Sequence, residues 1–558
     1  MRTLFYNMAT LILLCLPNFI LFVLNQDIHI LLFSFLLNIV LFSLIRSTWY
    51  LWSLALFFLL IPVVIFYIYY YQNMPDENII GIILETNIEE SSQFIGNRIP
   101  IYLTLYFLYV IFICYFLYLN FKKPVVWLHS SRYWVLVIGS IYLISMFFLN
   151  QKISNQINQQ FSENFLVVEN NSFLQEAKQT YPFGMLISFY DLYKEQKKIN
   201  QAFQHNANFK FNATSYFDGT QKQIYVLVIG ETSRRANWSL NGYSRATNPQ
   251  LSQQKNLVNF SNMLAIASAT RNAVPMILTR KPAEQVYAYN FPEKSIISAF
   301  KEAGFRTYWL STQQQFGNFD TSTSVYAKEA DQVIFLNKAN YTDAGEHDDV
   351  LIPVLNKIIH SNEQRQFIVI HTLGSHYNYA HRYPKEYDIF RPSLNDLSKY
   401  SLQELKYKQK LVNSYDNSIL FTDHVLNNMI EILKQQKQAE SFLFYSSDHG
   451  EDLFDHGCEK SGHGLDTQHN LEIASFAWYS DLFASQHPSQ IAYLIQNKDR
   501  KINQTAIFPT LVQAAKIHIP EYTEEKSILS PFKDYPRLVL GGKNFDSAQY
   551  DKICKDIK

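Results

Sequence analysis

The chain has 558 residues, 16% of them aromatic, and its 48 Lys and Arg balance 48 Asp and Glu for a formal charge of zero. That length exceeds one ordinary domain, and the balanced charge removes any bulk electrostatic case for binding nucleic acid. Five apolar runs precede residue 150, at 3–25, 28–45, 49–71, 99–121 and 133–149. Most approach the ~20 residues that carry a helix across a ~30 Å hydrocarbon core. The first is too long, and too unlike a small-residue cleavage region, to be a signal peptide alone. Arg2, Arg46, Lys122, Lys123 and Arg132 fall at the N-terminus and in alternate loops. The loop 72–98 instead holds Asp76, Glu77, Glu85, Glu89 and Glu90 against a single Arg98. By the positive-inside rule these charges predict five transmembrane helices, with the N-terminus inside and everything after residue 150 outside. Cys15 and Cys114 lie in apolar runs, which leaves Cys458 and Cys554 available for a disulfide in an oxidising compartment.

Residues 151–215 read as a connector rich in Asn and Gln. Within it, 183–203 is apolar in its first half and basic in its second, the pattern of an amphipathic helix on a bilayer surface or against the outer domain. From 216 to 558, strand-like runs at 223–229, 305–311, 367–372, 442–446 and 474–479 alternate with helical ones at 292–303, 350–360 and 406–436. That alternation predicts an α/β domain with a mostly parallel sheet covered by helices on both faces.

In such a sheet, ligands bind just beyond the carboxyl ends of the strands. The run 224–229 ends at Gly230, and Glu231 and Thr232 follow at once; the run 441–447 ends in Asp448-His449-Gly450. Glu231, Asp448 and His449 are ligand types for zinc or a similar divalent ion, and their matching placement predicts one metal centre. A nucleophile is offered by the small polar segment 265–275, which runs into a helix predicted at 274–279. A hydroxyl at a helix start meets backbone N–H groups and the positive end of the dipole, and both Ser268 and Thr270 answer that description. His376 in Gly374-Ser-His and His463 in Ser461-Gly-His-Gly lie in glycine-containing loops after strands, beside the predicted ligands.

The stretch GETSRRANWSLNGYSRATNP at 230–249 is the most specific of several ordered motifs. With it stand Ser268-Ala-Thr270 running to Val274-Pro275, GSH at 374–376, YDNSILFTD at 415–423 and SSDHGE at 446–451. In these the chain resembles the phosphoethanolamine transferases of Gram-negative envelopes, members of the alkaline phosphatase and sulfatase superfamily. The resemblance covers nearly the whole chain. It implies five inner-membrane helices (1–150), a periplasmic connector with an interfacial helix (151–215) and a periplasmic sulfatase-like catalytic domain (216–558). It implies zinc bound by Glu231, Thr270, Asp448 and His449, with Thr270 rather than Ser268 as nucleophile. His376 and His463 fall on the family's phosphate-contacting histidines, which also can hold a second zinc. The donor implied is phosphatidylethanolamine, the acceptor lipopolysaccharide, and the enzyme a monomer.

Two departures bear on the acceptor. Members that modify lipid A carry cysteines where this chain has Ile266 and Met276, and a lysine in the loop that reads STQQQFGNFDTSTS here, at 311–324. Their absence resembles the members that modify the lipopolysaccharide core. Other readings of the same architecture are a glycerophosphate transferase of the lipoteichoic acid type, a membrane-anchored sulfatase or phosphodiesterase, and an inactive scaffold. The 230–249 stretch speaks against the first. The lack of a C/S-x-P-x-R nucleophile motif speaks against the second, and retention of every expected ligand against the third.

Overall fold

The computed structural model describes residues 2–44, 54–71, 73–76, 79–81, 83, 99–122, 129–160, 172–215, 221–288, 291–314, 322–337, 345–397, 400–523 and 525–557. Arg46, Glu77, Glu85, Glu89, Glu90, Arg98, Lys123 and residues 315–321 of the 311–324 loop lie outside the described residues. The chain divides into two compact units, Met1–Thr86 with Arg98–Lys197, and Asn87–Asn97 with Lys198–Lys558.

The first unit is helical. Each apolar run gives a helix: α1 (Arg2–Asn25), α2 (Ile28–Leu44), α3 (Ala55–Tyr71), α4 (Ile99–Lys122) and α5 (Ser131–Gln160). Among the described residues, Ile99–Leu119 is long and apolar enough to cross a bilayer, while Ala9–Asn25, Ile28–Ser43, Ala55–Tyr69 and Ser131–Ser145 are shorter apolar helices. α4 leaves Ile101, Leu103, Phe107 and Ile111 exposed, a surface that water solvates poorly. A further helix, α6 (Phe183–His205), begins on this unit. The turn before it is held by buried amides: Asn18 Nδ2 donates to Gln179 O at 2.8 Å, and Tyr181 N donates to Asn18 Oδ1 at 2.7 Å. Asn38 Nδ2 donates to Tyr181 O at 3.1 Å. Met185 and Leu192 then join the cluster of Leu14, Phe58 and Ile61, so the apolar half of α6 packs among the helices of the first unit.

The second unit is built on a seven-stranded sheet. Its strands are β1 (Lys222–Gly230), β2 (Leu257–Asn259), β3 (Arg306–Gln314), β4 (Gln332–Asn337), β5 (Arg365–His371), β6 (Ala439–Ser447) and β7 (Ser475–Tyr479). Their order is β2-β7-β6-β1-β5-β3-β4. β7 is antiparallel to both its neighbours and every other pairing is parallel. β1 is central, and alternate residues serve opposite layers. Tyr225, Leu227 and Ile229 join one core with α7 (Thr270–Leu278), α8 (Ile296–Glu302) and α11 (Ile507–Ala514). Ile224, Val226 and Val228 join the other with α9 (Leu351–Ile359) and α10 (Lys408–Gln435). A strand buried on both faces has no polar alternation, which is why 224–229 reads as an unbroken apolar run.

All five predicted strands lie in this sheet. The structure adds β2, only three residues long, and β4, whose first residues are exposed. The three predicted helices correspond to α8, α9 and α10.

The α8 face is anchored by Phe300, fully buried and stacked on Phe367 of β5 with ring centroids 3.8 Å apart. Phe300→Ala is expected to cost about 3–5 kcal/mol, the range for emptying a buried aromatic site. A shift of the denaturant midpoint at unchanged slope would show it.

Candidate active site

Gly230 of β1 and Ser447 of β6 are register partners, so the residues after them, Glu231 and Asp448, emerge side by side from one edge of the sheet. Both carboxylates are fully buried, as is His449. One ligand atom from each of the three lies within 4.8 Å of the others. Thr270 enters from a separate segment as the first residue of α7, after Ala269 in extended conformation. The helix thus starts four residues earlier than predicted, with Pro275 inside it. Thr270 Oγ1 lies 3.2 Å from Glu231 Oε2, 3.3 Å from Oε1 and 3.2 Å from His449 Nε2.

The surrounding contacts aim these groups. Glu231 Oε1 accepts from Thr232 Oγ1 at 2.8 Å, and Oε2 from Gln313 Nε2 at 3.1 Å. Gln313 Nε2 also donates to Thr372 O at 2.9 Å, which fixes the amide. Asp448 Oδ1 accepts from the Thr232 and His449 backbone N–H groups at 3.0 and 2.7 Å. Asp448 Oδ2 is buried with no hydrogen bond. His449 Nδ1 stands 2.9 Å from Gly450 O and must be its donor, which turns Nε2 toward Glu231 at 3.3 Å and Asp448 at 3.4 Å, where the two carboxylates stabilise a proton or a cation on that nitrogen. An imidazole fixed through its other nitrogen to a carbonyl is the usual arrangement behind a metal ligand. Gly374 packs against this centre with φ +49°, where a Cβ would fall 2.7 Å from Glu231 O, so the position requires glycine.

The electrostatics point the same way. Burial, with the charge of Glu231 beside it, pushes the Asp448 carboxyl up to about 7. Burial opposes charge on His449, but Asp448 and Glu231 outweigh it and push the imidazole up to about 10. Burial would raise Glu231 as well, yet the hydrogen bond and charge of His449, with the charges of His376 and His463, hold it well below the usual carboxylate range. Two dry carboxylates are tolerable only beside positive charge. The donor set, with its orphaned carboxylate oxygen and oriented Nε2, fits a divalent cation such as zinc.

His463 and His376 complete the wall. The His463 ring centroid lies 4.7 Å from that of His449 and 5.3 Å from that of His376. His376 Nδ1 is 2.8 Å from Tyr377 O. Six of the seven residues singled out in the sequence are therefore brought to one sheet edge. Ser268 Oγ faces Asp466 Oδ1 at 3.4 Å instead, outside the ligand group.

Three further residues were not singled out. Fully buried Glu451 receives His463 Nδ1 at 3.0 Å on one oxygen and Tyr379 OH at 2.7 Å on the other. Gln313 holds Glu231. Gln504, fully buried, accepts from Ile266 N at 3.0 Å and donates to Asp448 O at 2.6 Å, joining the Thr270 segment to the end of β6. Glu451 stood in plain view inside SSDHGE, whereas nothing local marks either glutamine.

A doubly covered α/β sheet with a carboxylate–histidine cluster at its carboxyl edge is the architecture of sulfatase-type phospho- and sulfo-transfer enzymes. The sulfatase family model matches residues 223–517, more than half of the chain, and the chain belongs to that family. Its relatives are narrower in kind. It is 24% identical over 492 residues to phosphoethanolamine transferase EptC of Escherichia coli K12, covering 85% of this chain and 81% of that one. It is 28% identical over 319 residues to phosphoethanolamine transferase EptA of Escherichia coli O157:H7, covering 55% and 56%. The crystal structure of the C-terminal periplasmic domain of Escherichia coli EptC in complex with Zn superposes with a TM-score of 0.55 at 26% identity, covering 62% of this chain and 98% of that one. The integral membrane lipooligosaccharide phosphoethanolamine transferase A of Neisseria meningitidis superposes with a TM-score of 0.70 at 19% identity, covering 94% and 97%, so the shared fold extends through the helical part.

Gln313→Ala is expected to weaken zinc binding about 10–100-fold, the usual effect of losing a partner that orients a ligand. Competition with a chromogenic chelator, using the full chain in detergent, measures it.

Proposed function

We propose that this protein transfers phosphoethanolamine from phosphatidylethanolamine to lipopolysaccharide through a covalent phosphothreonine-type intermediate. The observation that carries the reading is the Thr270 hydroxyl, set 3.2 Å from both Glu231 and His449 at a buried Glu-Asp-His cluster. Relatives named phosphoethanolamine transferases, one of them crystallised with Zn, support the chemistry and the metal.

Glu231, Asp448, His449 and Thr270 would hold zinc, which supplies Lewis acidity and lowers the pKa of a hydroxyl beside it. Thr270 Oγ1 attacks phosphorus, its bond to phosphorus forms, and the bond from phosphorus to the diacylglycerol oxygen breaks. The position of Thr270 at the start of α7 adds the positive end of a helix dipole to its surroundings. His376 and His463 contact the phosphoryl oxygens, and one of the two, His376 or His463, gives the leaving oxygen its proton, a task suited to imidazole near neutrality. The acceptor oxygen then attacks the phosphothreonine, and the bond to Thr270 breaks, completing a double displacement.

Within this reading residues 1–150 form five transmembrane helices in the inner membrane, 151–215 a periplasmic connector with an interfacial helix, and 216–558 the periplasmic catalytic domain, acting as a monomer. Both substrates are held in membranes, so tethering raises their effective concentration at the site. The lysine-free loop 311–324, with Ile266 and Met276 beside the nucleophile, favours the lipopolysaccharide core over lipid A.

Thr270→Ala is expected to abolish labelling of the protein by phosphoethanolamine, read by intact-protein mass spectrometry after incubation with phosphatidylethanolamine. An adduct surviving the substitution would remove Thr270 as nucleophile. In cells carrying the protein, mass spectrometry of lipopolysaccharide should place the added phosphoethanolamine on core fragments. Its appearance on lipid A instead would reverse the acceptor.

A further inference from the structure

Thr270 opens α7 directly after an irregular segment and His463 stands on a loop excursion, and the sheet alone does not hold either. The first segment, residues 265–269, precedes α7. The second is the excursion from Phe454 to Thr467 that follows Asp448-His449. The two touch each other, since Gly464 N donates to Ser268 O at 2.8 Å.

Both rest on the same stretch of chain, residues 538–557, which lies beyond the part that the sulfatase family model matches. Leu540 N donates to Ile266 O at 2.8 Å, while Gln504 receives the Ile266 N–H, so both backbone groups of Ile266 are gripped. Val539, Leu540, Phe545 and Ile557 close an apolar cluster over Leu264 and Leu471. On the other segment, Cys458 is disulfide-bonded to Cys554, and Lys460 Nζ pairs with Asp556 Oδ2 at 2.9 Å. Ile557 N donates to Asp466 O at 2.8 Å, and Gln468 N to Lys555 O at 3.0 Å. The stretch is braced from the residue just before it: Arg537 holds Asp546 through two hydrogen bonds, at 2.9 and 2.6 Å. Asp551 accepts from the Ile553, Cys554 and Asp556 backbone N–H groups.

We infer that residues 538–557 form a positioning strap that sets the distance between Thr270 and His463, with Asp556 and the Cys458–Cys554 bond as its ties to the histidine-bearing segment. The hydrogen bonds, ion pair, disulfide and apolar cluster named above do not involve Glu231, Asp448 or His449, which directly follow β1 and β6. Loosening the strap therefore separates two properties that a general structural role would lose together. Metal binding stays and turnover falls. The turnover part rests on the transfer reading above.

The test is Asp556→Ala in the full chain in detergent, beside Asp556→Glu and the double variant Cys458→Ser with Cys554→Ser. Hydrogen–deuterium exchange should rise in 454–467 and 265–269 and stay unchanged in β1 and β6. Zinc content should remain at the wild-type level. The kcat for transfer should fall about tenfold or more with little change in KM, since misplacement by about an ångström costs up to about a hundredfold. Asp556→Glu should recover most of the loss, and the double serine variant should repeat the pattern. Unchanged exchange in the two segments, wild-type kcat despite raised exchange, or zinc lost together with turnover would each overturn the strap. A wild-type protein that transfers nothing from phosphatidylethanolamine would defeat the proposed function, while the exchange measurements would still decide the strap.

Discussion

Two carboxylates, Glu231 and Asp448, leave adjoining strands at the same edge and are both shut away from water. Like charges so placed cannot both ionise without a cation between them, and the cost of desolvating them is recovered only by strong, close opposite charge. Much of the site answers that constraint. His449 supplies an oriented nitrogen, one oxygen of Asp448 is left without a hydrogen bond, and the hydroxyl of Thr270 closes the remaining side. The arrangement is unfavourable as a structural ion cluster and favourable as a receptacle for a divalent metal. That contrast separates it from the buried polar networks elsewhere in the domain. Elsewhere in the domain, buried Asp423 has both oxygens satisfied, by the Gln250 and Leu251 backbone N–H groups at 2.9 Å each.

The sheet decides where the reactive groups appear, and polar side chains decide where they point. Thr232 and Gln313 take one oxygen each of Glu231, Glu451 takes His463, and Gln504 bridges the Thr270 segment to β6. Apart from Thr232, which adjoins Glu231, these contacts join residues at least 12 positions apart in sequence. A site assembled in this way tolerates variation in the surrounding loops as long as the orienting contacts persist. This agrees with low overall identity to relatives that share the fold.

The strands that carry the chemistry were legible because burial on both faces leaves an unbroken apolar run, and because a carboxylate directly after such a run is out of place in a core. Glu231 and Asp448-His449 stand out on that ground. The edge strands β2 and β4 did not, being short or partly exposed, with no run to detect. The start of α7 was set too late because residues 270–273, Thr-Arg-Asn-Ala, carry no apolar periodicity of their own; tertiary packing makes them helical. Gln313 and Gln504 were invisible in principle. A glutamine becomes an orienting residue only when the register of strands far away in sequence brings a ligand to it. The disulfide between Cys458 and Cys554 was available from residue counting, while its mechanical partners, Asp556 and Ile557, were not.

The central position of β1 also governs the order in which this domain can acquire its site. β1 pairs on one side with β5 and on the other with β6, so the earliest strand of the sheet waits for partners translated much later. Thr232 and Asp448, 216 residues apart, meet only once both ladders have closed. Pairings of such long range are slow because the intervening chain must be ordered before any contact repays it. The cluster can therefore exist in no half-folded intermediate. A chain still searching for its topology presents scattered acids and histidines, so the assembled cluster distinguishes finished molecules from unfinished ones.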